Sequence, residues 1–540
     1  MRVLLLGLAC LGTRTAWAGP RPSDPVEARI AWSIRAARDA AFVGELDRLR
    51  GSDAPGWGVD GVEVVVQGTG DPDAVYDGVV RAGFDVRGQA GTALQVFVPW
   101  DRLRDLADVP GVERIREPWR ARAKDVRTEG YDAVMERDWH VDGITGAGVS
   151  VAVVDVGFAG ADALAGTEIP ANAVADFSRG QSDSTDHGTA VTEIIYDFAP
   201  DATYYLASFS TDVELGEILA NLTDLGVDVI NGSFGFDNVW HADGTSSLSQ
   251  YADRAVEEGA IYVAAAGNEN DKYRVGALAL GNGGEVSIAG MTGVWCATGG
   301  GYADVSFRWS EPFGQARQDL DLVVYNEDGS VCGRSEETQD GEGWPYELVS
   351  VMGCSARVRA VPIAAGAEVT GLVGYLYGYF GIDEDAWTNT EDLTLPGDTF
   401  GGVTVGAWYP GDDTLAYYSS RGPTNDGRTK PDVVGPTGVS TQTYGVGRFE
   451  GSSAATPHGS GVAALWVSAT GRHGRPDRFK EWVKGEARDL GPAGEDDGFG
   501  AGALRVDEIP SHCGCSAASG GAPVWAGWAL FGTLVRRKRR

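Results

Sequence analysis

The chain has 540 residues, 43% of them hydrophobic, and a formal net charge of −33. Its length and apolar content exclude wholesale disorder and leave room for a sizeable core with extra modules. The acidity excludes a nucleic-acid binder, which needs a basic face. It reads as solubility, and no loop of EF-hand spacing is present.

The N-terminus carries Arg2, an apolar run over residues 3–11, and then Ala16-Trp17-Ala18. This is the layout of a secretory signal peptide over residues 1–18, cut after Ala18. Residues 19–127 form the next segment. Within it the pattern predicts a strand at 62–66, a helix at 74–82 and strands at 84–86 and 93–98, then a short helix at 100–106 and a strand at 112–115. That order is the ferredoxin-like, split βαβ pattern. It stands where an inhibitory propeptide would sit; a permanent N-terminal domain fits the same pattern. The charged residues 116–127 read as a linker and cleavage zone.

Over residues 128–292 apolar strands alternate with helical patterns, the mark of an α/β fold with a mainly parallel sheet. Residues 149–154 are almost continuously apolar, as in a strand buried on both faces. Asp155 stands at the carboxyl end of that run, where open α/β sheets place their sites. Val191, Ile194, Ile195 and Phe198 recur at the helical period, so His187 opens an amphipathic helix. Buried strands at 227–230 and 261–266 are followed by Asn231 and Asn268.

The pattern changes over residues 293–396. Val305, Phe307 and Trp309 alternate with polar partners, and the run 320–325 enters the turn Asn326-Glu327-Asp328-Gly329. Further strands are predicted at 358–363 and 369–380. This is an inserted all-β module, a sandwich or jelly roll, tolerated if its two ends lie close together. The α/β pattern resumes near residue 402, so residues 397–509 complete the interrupted domain.

Of six cysteines, Cys10 lies in the signal peptide and Cys513 and Cys515 near the C-terminus. Among Cys296, Cys332 and Cys354, an exported chain pairs two, and Cys332–Cys354 is the expected bridge. Residues 510–540 hold Cys513-Gly514-Cys515, an uncharged stretch over 516–535 and the basic end Arg536-Arg537-Lys538-Arg539-Arg540. The stretch is marginally long enough to span a bilayer, and the basic end would stay cytoplasmic. The layout resembles the tripartite sorting tag called MYXO-CTERM, which implies processing near Cys513 or Cys515 and display at the cell surface. An ordinary tail anchor is the plainer alternative.

The chemistry rests on three stretches in the order Asp, His, Ser: Val151-Ala152-Val153-Val154-Asp155, Asp186-His187-Gly188-Thr189 and Gly451-Ser452-Ser453-Ala454-Ala455-Thr456-Pro457-His458. A hydroxyl is a poor nucleophile until an imidazole takes its proton and a carboxylate orients that imidazole. The Gly451-Ser452-Ser453 corner precedes a predicted helix over 454–466, with Pro457 in its first turn, where a missing N–H costs little. A serine there feels the positive end of the helix dipole. His458, inside that helix, is expected to pack.

Together these stretches resemble the subtilisin-like serine proteases, the subtilases. Tyr418-Ser419-Ser420-Arg421-Gly422-Pro423-Thr424, Lys430-Pro431-Asp432 and Ala264-Ala265-Ala266-Gly267-Asn268-Glu269 resemble further family blocks. The order also differs from that of α/β-hydrolases. The resemblance implies a subtilisin-like three-layer domain with Ser453 as nucleophile, His187 as general base and Asp155 orienting the imidazole. It implies an oxyanion hole made by the Asn268 amide and the Ser453 N–H. It further implies a substrate-binding wall of Ser233, Phe234, Gly235, Ala266 and Gly267, with Phe236 narrowing the cleft. Two departures are expected to affect packing only: Ala190 replaces the family's second histidine, and Thr192-Glu193 stand where small residues are common.

The implied product is an exported, surface-displayed serine endopeptidase acting on proteins or peptides through an acyl-enzyme. Its own propeptide would be an intramolecular inhibitor, and a monomer is expected. Its chemistry needs no cofactor or metal, and structural calcium in the loops stays open. The rival readings are a surface adhesion protein that uses the β-module on an inactive scaffold, and an esterase on the same residues.

Overall fold

The computed structural model describes Val26 and Ile30, residues 61–116 except 70, 91 and 92, and residues 127–507 except 136–138, 174–177, 179–184, 299–301, 342, 353 and 365. The signal peptide, the 510–540 tag and nearly all of the linker lie outside the described residues. The chain divides into two compact units, Met1–Ala123 and Lys124–Arg540.

In the first unit, strands β1 (Gly61–Gly68), β2 (Asp85–Ala90), β3 (Ala93–Pro99) and β4 (Val112–Arg116) form an antiparallel sheet in the order β2-β3-β1-β4. The Pro72–Arg81 helix follows β1 and the short Leu103–Ala107 helix follows β3. The two-residue period puts Val62, Val64 and Val66 on one face, where they bury against Val79, Val96, Leu103 and Leu106. Asp71 caps the first helix by accepting from the Asp73 N–H.

The second unit is built on β5 (Ser150–Asp155), β6 (Thr203–Ser208), β7 (Val229–Gly232), β8 (Ile261–Ala265) and, much later in the chain, β19 (Val403–Tyr409) and β21 (Val433–Pro436). All these strands pair in parallel, in the spatial order β6-β5-β7-β8-β19-β21, with the short β20 (Thr414–Leu415) antiparallel to β19. Alternate residues of each strand enter different cores. Val151, Val153, Ile261 and Val263 pack with the His187–Phe198 and Ser452–Thr470 helices. Ala152, Val154, Tyr262 and Ala264 pack with the Asp212–Leu225 and Ser247–Glu257 helices. The sheet is therefore the middle of three layers, which is why its strands read as unbroken apolar runs. β5 leads to β6 on one side and β7 lies on the other, so the strand order reverses at β5, and the crevice at such a point collects site residues.

The antiparallel region begins earlier than the residue-293 boundary read from the pattern. β9 (Tyr273–Leu280), β10 (Val286–Ile288) and β11 (Met291–Thr292) already belong to it. They extend a six-stranded sheet, β11-β10-β9-β18-β13-β16, with β13 (Tyr302–Trp309), β16 (Tyr346–Met352) and β18 (Val373–Gly378). A four-stranded sheet, β12-β17-β14-β15, combines β12 (Val294–Ala297), β14 (Leu320–Asn326), β15 (Val331–Ser335) and β17 (Arg357–Ala364). Both sheets bury residues in one cluster that includes Val305, Phe307, Leu322, Val324, Val358 and Leu376. Cys332 and Cys354 are disulfide-bonded, and Cys296 is a buried free thiol. Among the described residues no helix is long and apolar enough to cross a membrane. No three His, Cys, Asp or Glu side chains gather there as metal ligands.

Candidate active site

Asp155 ends β5 fully buried, and His187 opens its helix directly over that strand end. The close approach depends on Gly188, because a Cβ there would stand 2.8 Å from the Asp155 Cβ and 2.6 Å from the Gly157 carbonyl oxygen. His187 Nδ1 lies 2.8 Å and 2.9 Å from the two Asp155 carboxylate oxygens. The Val156 N–H donates to Oδ1 at 2.8 Å and fixes the carboxylate. An ionised carboxylate can only accept, so Nδ1 carries a proton, and in the neutral ring the free lone pair is on Nε2. Burial works against the imidazolium, but the Asp155 charge and hydrogen bond, with Asp186 adding, outweigh it and hold the His187 pKa above its ordinary 6.5.

Ser453 lies in the first turn of a helix that begins at Ser452, not at 454. Pro457 therefore falls beyond the first turn. It removes the N–H that would have bonded the carbonyl four residues back, which is that of Ser453. The buried Ser233 hydroxyl takes that place and donates to the Ser453 carbonyl at 3.1 Å. The Ser453 hydroxyl in turn donates to the Ser233 carbonyl at 3.1 Å. It is not hydrogen-bonded to His187, and His187 Nε2 has no hydrogen-bond partner among the described residues. The Phe449 ring, just before Ser453 in the chain, meets the His187 ring edge-on at 5.7 Å between centroids. Catalytic hydrogen bonds of this kind are often unmade in unliganded enzymes.

Asn268 follows β8. Its Oδ1 accepts from the Ser452 N–H at 2.7 Å, which leaves the Nδ2 donors without an acceptor among the described residues. Gly451, at φ 104°, permits this, since a Cβ there would come within 3.1 Å of Asn268 Nδ2. The Ser452 hydroxyl accepts from the Gly267 N–H at 3.2 Å, joining the 266–268 loop to the helix start.

Of the expected wall residues, Ser233 is buried with its hydroxyl engaged, whereas Gly235 is exposed. Phe236 does not stand free in a cleft. It exchanges backbone hydrogen bonds with Leu395 and its ring packs with Phe209 and Phe234. Thr394, which no motif in the chain announces, sits between the two glycines of the wall. A Cβ on Gly235 would overlap its hydroxyl at 1.9 Å, and one on Gly267 would lie 3.1 Å from its Cβ. The Ala266 carbonyl accepts from the Thr394 N–H at 3.0 Å.

The sequence signature of the subtilase family matches residues 146–502, a span that contains all of these groups. The chain belongs to the subtilase family. This is a family of serine-type peptidases. Over 155 residues the subtilase chain is 30% identical to pyrolysin of Pyrococcus furiosus, a match that takes in 26% of this chain and only 9% of that protein. Among solved structures, the Clostridium perfringens CspB protease superposes with a TM-score of 0.50 at 17% identity, over 70% of this chain and 97% of that one. That likeness is one of fold.

Two further residues support this subtilase's site from behind. Glu193, on the inner side of the His187 helix, accepts from the N–H groups of Gln442 and Thr443 and from the Thr443 hydroxyl. These donors form the turn between β22 (Val439–Thr441) and β23 (Gly445–Phe449), the hairpin that leads into Ser453. Burial, reinforced by Glu168, raises the Glu193 pKa to about 7 against the pull of its donors. His458 is fully buried. Its Nδ1 donates to the Ala454 carbonyl at 2.8 Å, and its ring fills the space that Gly130 leaves open.

Proposed function

We propose that this subtilase is a serine endopeptidase with Ser453 as nucleophile, His187 as general base and Asp155 as the group that orients the imidazole. The observation that carries the reading is the Asp155–His187 pair, held at 2.8 Å and 2.9 Å with a basic Nε2 facing away from the carboxylate. In this reading Ser453 Oγ attacks the scissile carbonyl as its proton passes to His187 Nε2. The tetrahedral oxygen then takes hydrogen bonds from Asn268 Nδ2 and the Ser453 N–H, an N–H that the first helical turn leaves unpaired. His187 returns the proton to the leaving amine. The acyl-enzyme is hydrolysed by water along the same route.

The remaining parts follow from the sequence layout. The signal peptide over residues 1–18 supports export, the compact N-terminal unit is an inhibitory propeptide, and the 510–540 tag holds the mature chain at the cell surface. Residues 233–235 and 266–267 form the wall that receives the peptide. The purified full chain is tested with casein and a phosphonofluoridate probe. Expected is covalent labelling of Ser453 and casein cleavage, both lost in Ser453→Ala. Wild type and Ser453→Ala that are equally inert end the peptidase reading. Mass spectrometry of the mature termini checks the cuts near Ala18, within residues 116–127 and near Cys513.

A further inference from the structure

The outer face of the six-stranded sheet is polar and aromatic, yet buried. The two-residue period of β13 sends Val305 and Phe307 into the module's own core and turns Ser306 and Arg308 to the opposite face. In β18 the same alternation sends Leu376 inward and Tyr375 and Tyr377 outward. An outward face of a two-sheet module ordinarily meets solvent. Here Ser306, Arg308, Tyr375 and Tyr377 are each at most 4% exposed.

Residues 237–241, which follow the wall at 233–235 after Phe236, meet this face, with Glu391 and Asn425 at the Tyr375 hydroxyl. Arg308 Nε donates to Asn238 Oδ1 at 2.8 Å, and Nη1 lies 2.9 Å from His241 Nδ1. A guanidinium cannot accept, so His241 Nδ1 is the acceptor, and Nε2 donates to the Glu311 carbonyl at 2.8 Å. Burial and the Arg308 charge hold the His241 pKa down to about 4, which keeps that ring neutral. Asn238 Nδ2 donates back to Ser306 Oγ at 2.9 Å and to the Tyr375 carbonyl at 3.2 Å, holding Asn238 at φ 55°. Asp237 accepts from the Tyr377 hydroxyl at 3.2 Å and from the Thr394 hydroxyl at 2.8 Å. Arg308 stacks over the Tyr375 ring at 3.8 Å, and among the described residues no carboxylate forms a salt bridge with it. A buried cation spent on an amide and an imidazole of one loop fixes that loop's geometry.

We infer that the β-module is a buttress of the substrate-binding wall, with Arg308 as its positioning residue, and that it governs selection of extended peptides without entering the acylation chemistry. The inference rests on the peptidase reading and deepens it. The wall connects Ser453, through the Ser233 carbonyl, to the Arg308 loop, so a shift of residues 237–241 moves the surface along which a peptide lies. Among the described residues, no hydrogen bond joins the Asp155, His187, Ser453 or Asn268 side chain to the module.

The test uses the full chain and Arg308→Met, which keeps length but removes the donors, with Arg308→Lys as the conservative variant. The phosphonofluoridate labelling rate and turnover of a minimal ester report on acylation. The kcat and KM for an eight-residue peptide report on the wall. Expected for Arg308→Met is a KM increase of about 10- to 100-fold on the long peptide, as small misplacements cost. Labelling and ester turnover stay within about twofold, and Arg308→Lys recovers part of the loss. Tyr377→Phe removes one hydroxyl and keeps the fold; it should raise the same KM by about two- to fivefold with no change in labelling. If Arg308→Met does not fold, Tyr377→Phe decides. Equal losses on ester and peptide, or no change on either, overturn the buttress. A wild type that never labels overturns the peptidase reading instead.

Discussion

The two halves of this site are held in opposite ways. The chemical half is built from the ends of β5 and β8 and the starts of two helices. Its groups are placed by glycines, strand ends and helix ends, and each lies within a few residues of the motif that marks it. The half proposed to select substrate is residues 233–241, and its partners come from far away in the chain: Ser306, Arg308, Tyr375, Tyr377 and Thr394. In the first half, Gly188 and Gly451 let the backbone approach closely where a Cβ would crowd Asp155 and Asn268. The second half has one arrangement because a buried polar cluster must be satisfied.

The largest effects should fall on the chemical half and be blind to substrate length. Ser453→Ala should cost on the order of 10⁶ in kcat, as the corresponding loss does in subtilisin, a relative in the family. Equal loss on ester and long peptide is expected, and any length dependence would blur the division. Asp155→Asn should cost about 10⁴ in kcat. It should also move the acidic limb of the kcat/KM profile to lower pH. The base must be neutral, activity falls as pH drops through the His187 pKa, and Asp155 is what raises that pKa. A limb that stays in place would remove the carboxylate from the account. Asn268→Ala should cost roughly 10²–10³ in kcat, about 2.7–4 kcal/mol, with KM nearly unchanged.

The smallest expected effect tests the hairpin behind Ser453. Glu193→Ala strands three donors and should lower stability by about 1–3 kcal/mol in thermal melts at pH 5. The folded-state pKa of Glu193 lies near 7, above its ordinary 4.5, so the folded chain binds the extra proton. Its contribution is full below 4.5 and fades as pH rises through 7. That slope should be absent in the alanine variant. A variant with wild-type melts but changed peptide KM would place Glu193 with the selecting half.

Much of the chemical half could be read from the chain. The apolar run before Asp155 and the helical rhythm after His187 reflect local burial, and both elements stand where those patterns put them. Pro457 favours a first turn and so points to a later helix start, whereas the helix begins at Ser452, accepts Pro457 further in and repairs the lost bond with the Ser233 hydroxyl. The module's first strands were read as part of the α/β region, because β9 alternates no more clearly than a surface strand.

The family, the three-layer core and the short-range placement of Asp155, His187, Ser453 and Asn268 are legible along the chain. Periodicity, glycine sterics and helix starts act over a few residues and leave their marks in order. Long-range packing is what sets Thr394 between Gly235 and Gly267, Ser453 on Ser233, and Arg308 against Asn238 and His241. Alternation says which residues leave a strand on its polar face. What that face then meets is set by the packing of segments far apart in the chain, and no local pattern encodes it.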